Sequence, residues 1–139
     1  MKVRVNWLKN IAFEAETESG HKIIMDGSPD HGGENRGPRP METVLAGTGA
    51  CSAIDVVLIL KKARQAVTDC VVELSADRAE TDPKVFTRIH FHYIVTGTSL
   101  DAAKVGRAIQ LSAEVYCSAS AMMAKTAAVT HDFEIIEKK

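Results

Sequence analysis

The sequence predicts a single α+β domain spanning residues 1–139, and three observations carry that expectation. Segments of alternating polar and apolar residues cluster near the N-terminus, recur in the middle and appear once more at the end. A long apolar stretch with helical end signals separates the first two clusters, and a helical pair precedes the last segment. Strand runs broken by helices in the order βββ–α–ββ–αα–β argue for a mixed fold rather than a doubly wound sheet.

Residues 2–8, KVRVNWL, put Val3, Val5 and Trp7 on one face of a strand. A second segment, 11–18, ends at Ser19-Gly20, a plausible turn before a third at 21–26. Together these predict an N-terminal β-meander. Residues 27–40, GSPDHGGENRGPRP, contain four glycines and three prolines, which excludes regular structure and predicts a loop. Loops of this length in compact domains are often functional.

From Met41 to Gln65 the pattern turns helical. Pro40 suits a helix start, Glu42 sits in the first turn, and Lys61, Lys62 and Arg64 crowd the last, all matching the helix dipole. Almost every face between is apolar or small, which predicts a long central helix buried nearly all round. Ala46, Gly47, Gly49, Ala50 and Ala53 let neighbours approach it closely. Residues 68–79 and 84–97 read as a further strand pair joined at Thr81-Asp82-Pro83. Ser99 or Asp101 can cap a helix from 100 to about 115, a shorter helix follows Cys117, and a final strand covers His131 to Ile136.

Hydrophobic residues at 45% and charged residues at 25% are ordinary for a soluble globular protein. A net charge of −1 removes the electrostatic case for nucleic acid or an anionic membrane as partner. The longest apolar stretch, Met41 to Leu60, carries Glu42, Asp55, two glycines and several hydroxyls, which argues against a transmembrane span. The N-terminus has no signal-peptide apolar core, and the three cysteines include no CxxC pair. A disulfide framework and a structural zinc site are therefore not expected; a reducing, cytoplasmic home is.

The cysteines are the candidates for chemistry. Cys51 lies well inside the long helix among small residues, with Asp55 one turn later on the same face. It is either a small core hydrophobe or a thiol open to another molecule, and Asp55 opposes its ionisation. A reactive Cys51 needs a cation from elsewhere, for which Arg4, Arg36, Arg39 and Arg88 are candidates. Cys117 stands at the break between two helices, where the amides of a new helix start would favour its thiolate; packing is the alternative. On local electrostatics it is the better nucleophile of the two. Cys70 opens a strand with no cation or helix terminus beside it and reads as structural. His90 and His92 share one strand face, but no carboxylate or cysteine stands at ligand spacing, so a half-exposed sheet face explains them better than a metal. No phosphate-binding glycine motif or serine nucleophile elbow is present, and no cofactor is expected.

The loop leading into Pro40-Met41-Glu42, then Leu45-Ala46-Gly47 and Gly49-Ala50-Cys51, resembles the OsmC/Ohr superfamily of osmotically inducible and organic hydroperoxide resistance proteins. Cys117, 66 residues after Cys51, completes that pattern. The run Gly49 to Val57 and the run Leu111 to Ser118 are most similar to its YhfA-like branch. The resemblance implies an intertwined homodimer with active sites at the subunit interface. It implies a thiol peroxidase, active in oxidative-stress defence, in which Cys51 attacks an organic hydroperoxide, becomes a sulfenic acid and is resolved by Cys117. An external dithiol then reduces the disulfide.

The resemblance also implies an acid ten positions before the first cysteine, holding a catalytic arginine. Here position 41 is Met and the acid is Glu42, turned about 100° around the helix from the usual place. Glu42 and Arg39 are the matching candidates. The departure at Met41 leaves a second reading open, a weak or inactive relative that binds a small apolar ligand in the same interface pocket.

Overall fold

A computed structural model describes all 139 residues. The chain forms two compact units, Met1–Ala46 and Gly47–Lys139. The first holds the expected meander: β1 (Val3–Lys9), β2 (Ala12–Thr17) and β3 (Lys22–Met25), antiparallel and in spatial order β1-β2-β3. A register shift between Trp7 and Lys9 lets the chain turn at Asn10, which adopts the left-handed φ of 52° that asparagine tolerates.

The breaker-rich loop is more ordered than its composition suggests, because one buried carboxylate organises it. Asp26, 2% exposed, accepts from the main-chain N–H groups of Gly27 at 2.7 Å and of Glu34 and Arg36 at 3.1 Å each. Burial alone would raise its pKa; the three N–H donors and the charge of Arg36 outweigh that and hold it below the usual carboxylate range. Regular structure, excluded on composition, appears as a single 3-10 turn at Pro29–His31. Gly33 closes the loop, since a Cβ there would lie 2.1 Å from the carbonyl oxygen of Gly27.

The long helix α1 runs Pro40–Lys62. Its first turn is fixed by half of a capping box: the Glu42 carboxylate accepts from the Arg39 main-chain N–H at 2.8 Å. Burial follows one stripe at four-residue spacing, Thr48, Ser52, Val56 and Leu60, with Gly49 beside it. All-round burial is not what a single chain provides, because Ile54 and Leu58 stand 59% and 60% exposed. By length and composition alone α1 could cross a membrane; one stripe of it is buried within the protein. Gly49 sits so near β4 (Ala66–Arg78) that a Cβ would meet Leu74 Cδ1 at 2.5 Å.

In the second unit β4 pairs antiparallel with β5 (Phe86–Thr98), and β5 pairs with β6 (Ala128–Glu137) in parallel. A parallel return needs a crossover, and α2 (Ala102–Leu111), a π-helical turn at Ser112–Tyr116 and α3 (Ser118–Met123) supply it. Asp101 is the cap of α2, its carboxylate accepting from Ala103 and Lys104 N–H. Alternation along β5 buries Ile89, Phe91, Tyr93 and Val95, and Val105, Ala108 and Ile109 of α2 complete the core.

The opposite face of β5 carries His90 and His92. Both ring systems bond the same Asp132 oxygen on β6, at 3.0 and 2.7 Å, and His90 also meets Thr130 at 2.6 Å. No group of three or more His, Cys, Asp or Glu side chains is arranged to hold a metal ion.

The hydrogen bond that the His92 ring donates to Asp132 raises the His92 pKa above its ordinary value, with smaller contributions from the charges of Asp132, Glu134 and Glu73. That contribution to stability is complete below the ordinary value of 6.5 and fades as pH rises through the raised one. The depressed Asp132, bonded to His92, contributes above its ordinary 3.8 and loses that as pH falls through its folded value. We expect Asp132→Asn to bring the His92 ring titration, followed by NMR, part-way back toward 6.5. An unshifted titration would exclude the pairing.

Candidate functional site

Two of the four residues singled out in the sequence come together. Cys51, half-buried in the middle of α1, lies near enough to Cys117, which is 3% exposed, to raise the pKa of its thiol. Both thiols are free. Cys117 is the N-cap of α3, and its sulfur accepts from Ser120 N–H at 3.3 Å and from Ser120 Oγ at 3.0 Å. A cysteine at the cap with a serine three positions on is a capping pattern that could have been read from the sequence.

The surroundings of Cys117 act against the ionisation that a helix start would favour. Burial pushes its pKa up more than the two Ser120 bonds pull it down, and the neighbouring Cys51 raises it further by its bond and its charge. A helix start favours a thiolate, but a nearly water-free sulfur beside a second sulfur resists it.

Beneath the thiols lies a string of buried hydroxyls that sequence reasoning missed. Ser52, Tyr93 and Ser112 are each no more than 1% exposed. Ser52 Oγ bonds the Tyr93 hydroxyl and, at 2.9 Å, Ser112 Oγ. Ser112 Oγ donates to the Ser52 carbonyl and to Asp55 Oδ2, both at 3.2 Å. The half-buried Asp55 is thus satisfied by a hydroxyl. Burial, partly offset by the Ser52 bond, pushes the Tyr93 phenol up to about 12. No buried side-chain nitrogen or oxygen lacks a partner. The signal was faint, since isolated serines in apolar helices carry no pattern until their partners from other elements are known.

Glu42 and Arg39 belong to the first unit and serve each other through the main chain. The Glu42 carboxylate takes the Arg39 N–H, whereas the Arg39 guanidinium donates to Asn35 Oδ1 at 2.7 Å and to the Gly37 carbonyl at 3.2 Å. Of the other candidate cations, Arg88 is held by Asp77 at 2.7 Å in an exposed ion pair, and Arg4 bonds Asn6. Cys70 is half-buried on β4, its pKa raised by burial and by the adjacent Asp69. That is the environment of an inert thiol.

Next to the thiols in the chain, an open depression of about 590 Å³ is lined by Asp55, Leu58, Ile59, Lys62, Leu111 and Tyr116. Asp55 lies one turn past Cys51, and Tyr116 immediately precedes Cys117. The lining is mostly apolar with a polar edge, as small-molecule sites are.

Comparison with known proteins places this geometry among relatives. The family described as OsmC-like protein matches residues 32–132. Protein YhfA of Escherichia coli (strain K12) is 48% identical over 136 residues, covering 98% of each chain. A crystal structure of a hypothetical protein from Aquifex aeolicus VF5 superposes with a TM-score of 0.87 at 30% identity, over 99% of this chain and 97% of that one. An organic hydroperoxide resistance protein OsmC from Legionella pneumophila superposes with a TM-score of 0.69 over 96% of this chain and 95% of that one. At 18% identity, that last likeness speaks for the fold alone.

The Cys117 thiol should respond to Cys51 and to Ser120. In a Cys70→Ser background, Cys51→Ala is expected to lower the Cys117 pKa, and Ser120→Ala to raise it, both followed by thiolate absorbance. Identical titrations in all three proteins would contradict the contacts drawn above.

Proposed function

The chain belongs to the OsmC-like protein family, and from that premise we propose that it is a thiol-dependent peroxidase acting on organic hydroperoxides. The observation that carries the reading is the placement of the two thiols: Cys51 precedes Ser52, whose carbonyl accepts from Ser112 Oγ, and the Ser112 carbonyl accepts the N–H of Cys117, whose thiol Cys51 raises in pKa. In this reading the Cys51 thiolate attacks one peroxide oxygen. The O–O bond breaks, an alcohol leaves with a proton, and Cys51 becomes a sulfenic acid. Cys117 then attacks the Cys51 sulfur, the S–O bond breaks, and water and a disulfide result. An external dithiol reduces the disulfide and restores both thiols.

The order of the two cysteines follows from their surroundings. Cys117 is buried and raised in pKa, so it is a poor first nucleophile. Part of that rise comes from Cys51, and oxidation of Cys51 removes its negative charge. The second thiol therefore becomes easier to ionise once the first has reacted. Arg39, its main-chain N–H held by Glu42, is kept as the activating cation that the family resemblance implies.

We place the reaction in the cytoplasm and in a homodimer. The exposed Ile54 and Leu58 of α1, on the opposite side from its buried stripe, support such an assembly. A second reading, a binding protein for a small apolar molecule, is favoured by the depression lined by Leu58, Ile59, Leu111 and Tyr116.

Reaction of the reduced protein with stoichiometric cumene hydroperoxide should remove two thiols, mapped to Cys51 and Cys117. Cys51→Ser should abolish turnover and Cys70→Ser should leave it intact; unchanged thiol counts across several hydroperoxides would favour the binding reading. Arg39→Met is expected to slow the peroxide-dependent step by at least about tenfold, and Arg88→Met to leave it unaltered. Sedimentation should give twice the 15.1 kDa chain mass, whereas a monomer would remove the proposed assembly.

A further inference from the structure

The thiol pair is carried by two separate elements, α1 and the segment that joins α2 to α3, and one residue connects them. Ser112 is fully buried at the start of the π-helical turn. Its side chain reaches α1, donating to the Ser52 carbonyl and to Asp55 Oδ2. Its own carbonyl accepts the main-chain N–H of Cys117 at 2.8 Å. Ser52 is the residue immediately after Cys51. Ser112 therefore bonds the helix of one cysteine with its hydroxyl and the N–H of the other cysteine with its carbonyl.

The proton count makes this connection directional. A serine hydroxyl has one proton, and that of Ser112 is committed to the Ser52 carbonyl and the Asp55 oxygen. At the 2.9 Å contact Ser112 is then the acceptor, so the Ser52 proton points at it. Ser52 in turn accepts from the Tyr93 hydroxyl on β5. All three protons are assigned, and the chain runs Tyr93 to Ser52 to Ser112 to Asp55 across three elements.

A second feature points the same way. A π-helical turn widens a helix locally and is seldom kept without a purpose, and such turns are frequent at functional sites. Here it ends on Cys117. Without an anchor the turn has nothing to fix the direction in which it delivers that sulfur, and Ser112 is the anchored residue.

We infer that Ser112, locked by Ser52 and Tyr93, is a positioning residue that sets the approach of Cys117 to Cys51 and so the ease of disulfide formation. It touches neither substrate nor reacting atoms. The inference deepens the function proposed above and rests on that reading's choice of Cys51 and Cys117 as the reacting pair. Forming the bond oxidises the two thiols by two electrons and releases two protons; the electrons go to the hydroperoxide or, in the test, to oxidised glutathione.

The test uses the whole protein in a Cys70→Ser background, equilibrated with mixtures of reduced and oxidised glutathione. The disulfide fraction gives the effective concentration of one thiol at the other, independent of any peroxide. Ser112→Ala is expected to lower that effective concentration by at least about tenfold, as loss of orientation does. Alkylation of Cys51 by iodoacetamide should keep its rate, which a general loosening of the fold would not allow. Tyr93→Phe keeps the ring volume and removes the first donor, so it should shift the same equilibrium in the same direction if Ser112→Ala fails to fold. Wild-type effective concentrations in both variants would overturn the inference, as would a wild-type protein forming no Cys51–Cys117 disulfide. A protein that forms the disulfide with glutathione but is inert to hydroperoxides would overturn the proposed function and leave the positioning role standing.

Discussion

The second unit depends on a line of hydroxyls buried where apolar packing would ordinarily be found. Tyr93 of β5, Ser52 of α1 and Ser112 at the end of α2 meet in the core and end on the Asp55 carboxylate. Each has given up its water, so each must be bonded; leaving one unpaired costs about 1–3 kcal/mol. The network is therefore an all-or-none constraint. It holds when sheet, central helix and crossover are all in place, and it specifies how those three meet more sharply than interchangeable aliphatic contacts can.

The thiol pair sits on top of that constraint. Cys51 neighbours Ser52, and Cys117 hangs by its N–H from Ser112, so the polar network and the sulfur contact share their supports. The environments of the two chemically identical groups differ, Cys117 being buried and Cys51 half-buried. Burial and a neighbouring thiol raise Cys117, while two bonds from Ser120 orient its sulfur. Cys70, raised by burial and by Asp69, stands on β4 opposite Val95.

Local devices elsewhere convert a glycine- and proline-rich sequence into defined structure. Asp26 gathers three N–H groups of the loop before α1, and Glu42 returns to the N–H of Arg39 to close the helix start. The candidate acid read from the sequence thus has a structural partner. The depressed pKa of Asp26 means that the loop's order is maintained above the ordinary carboxylate range and weakens as pH falls through its folded value.

Much of the fold was legible in the chain because the signals were local. Short apolar-polar segments between turn signals marked the six strands, apolar continuity from Met41 to Gln65 marked the central helix, and Ser99 or Asp101 marked the start of α2, where Asp101 is the cap. Small residues around Cys51 and a helix break at Cys117 marked the two thiols. Three things were decided only by tertiary structure. The parallel pairing of β6 depends on a crossover that no local pattern encodes. The one-sided burial of α1 depends on which neighbours a single chain can supply. The raised pKa of Cys117 depends on desolvation, which exists only once distant segments have closed over it. Sequence carries what a residue prefers within a few positions of itself; contacts such as Ser52 to Ser112, sixty residues apart, are properties of the folded chain alone.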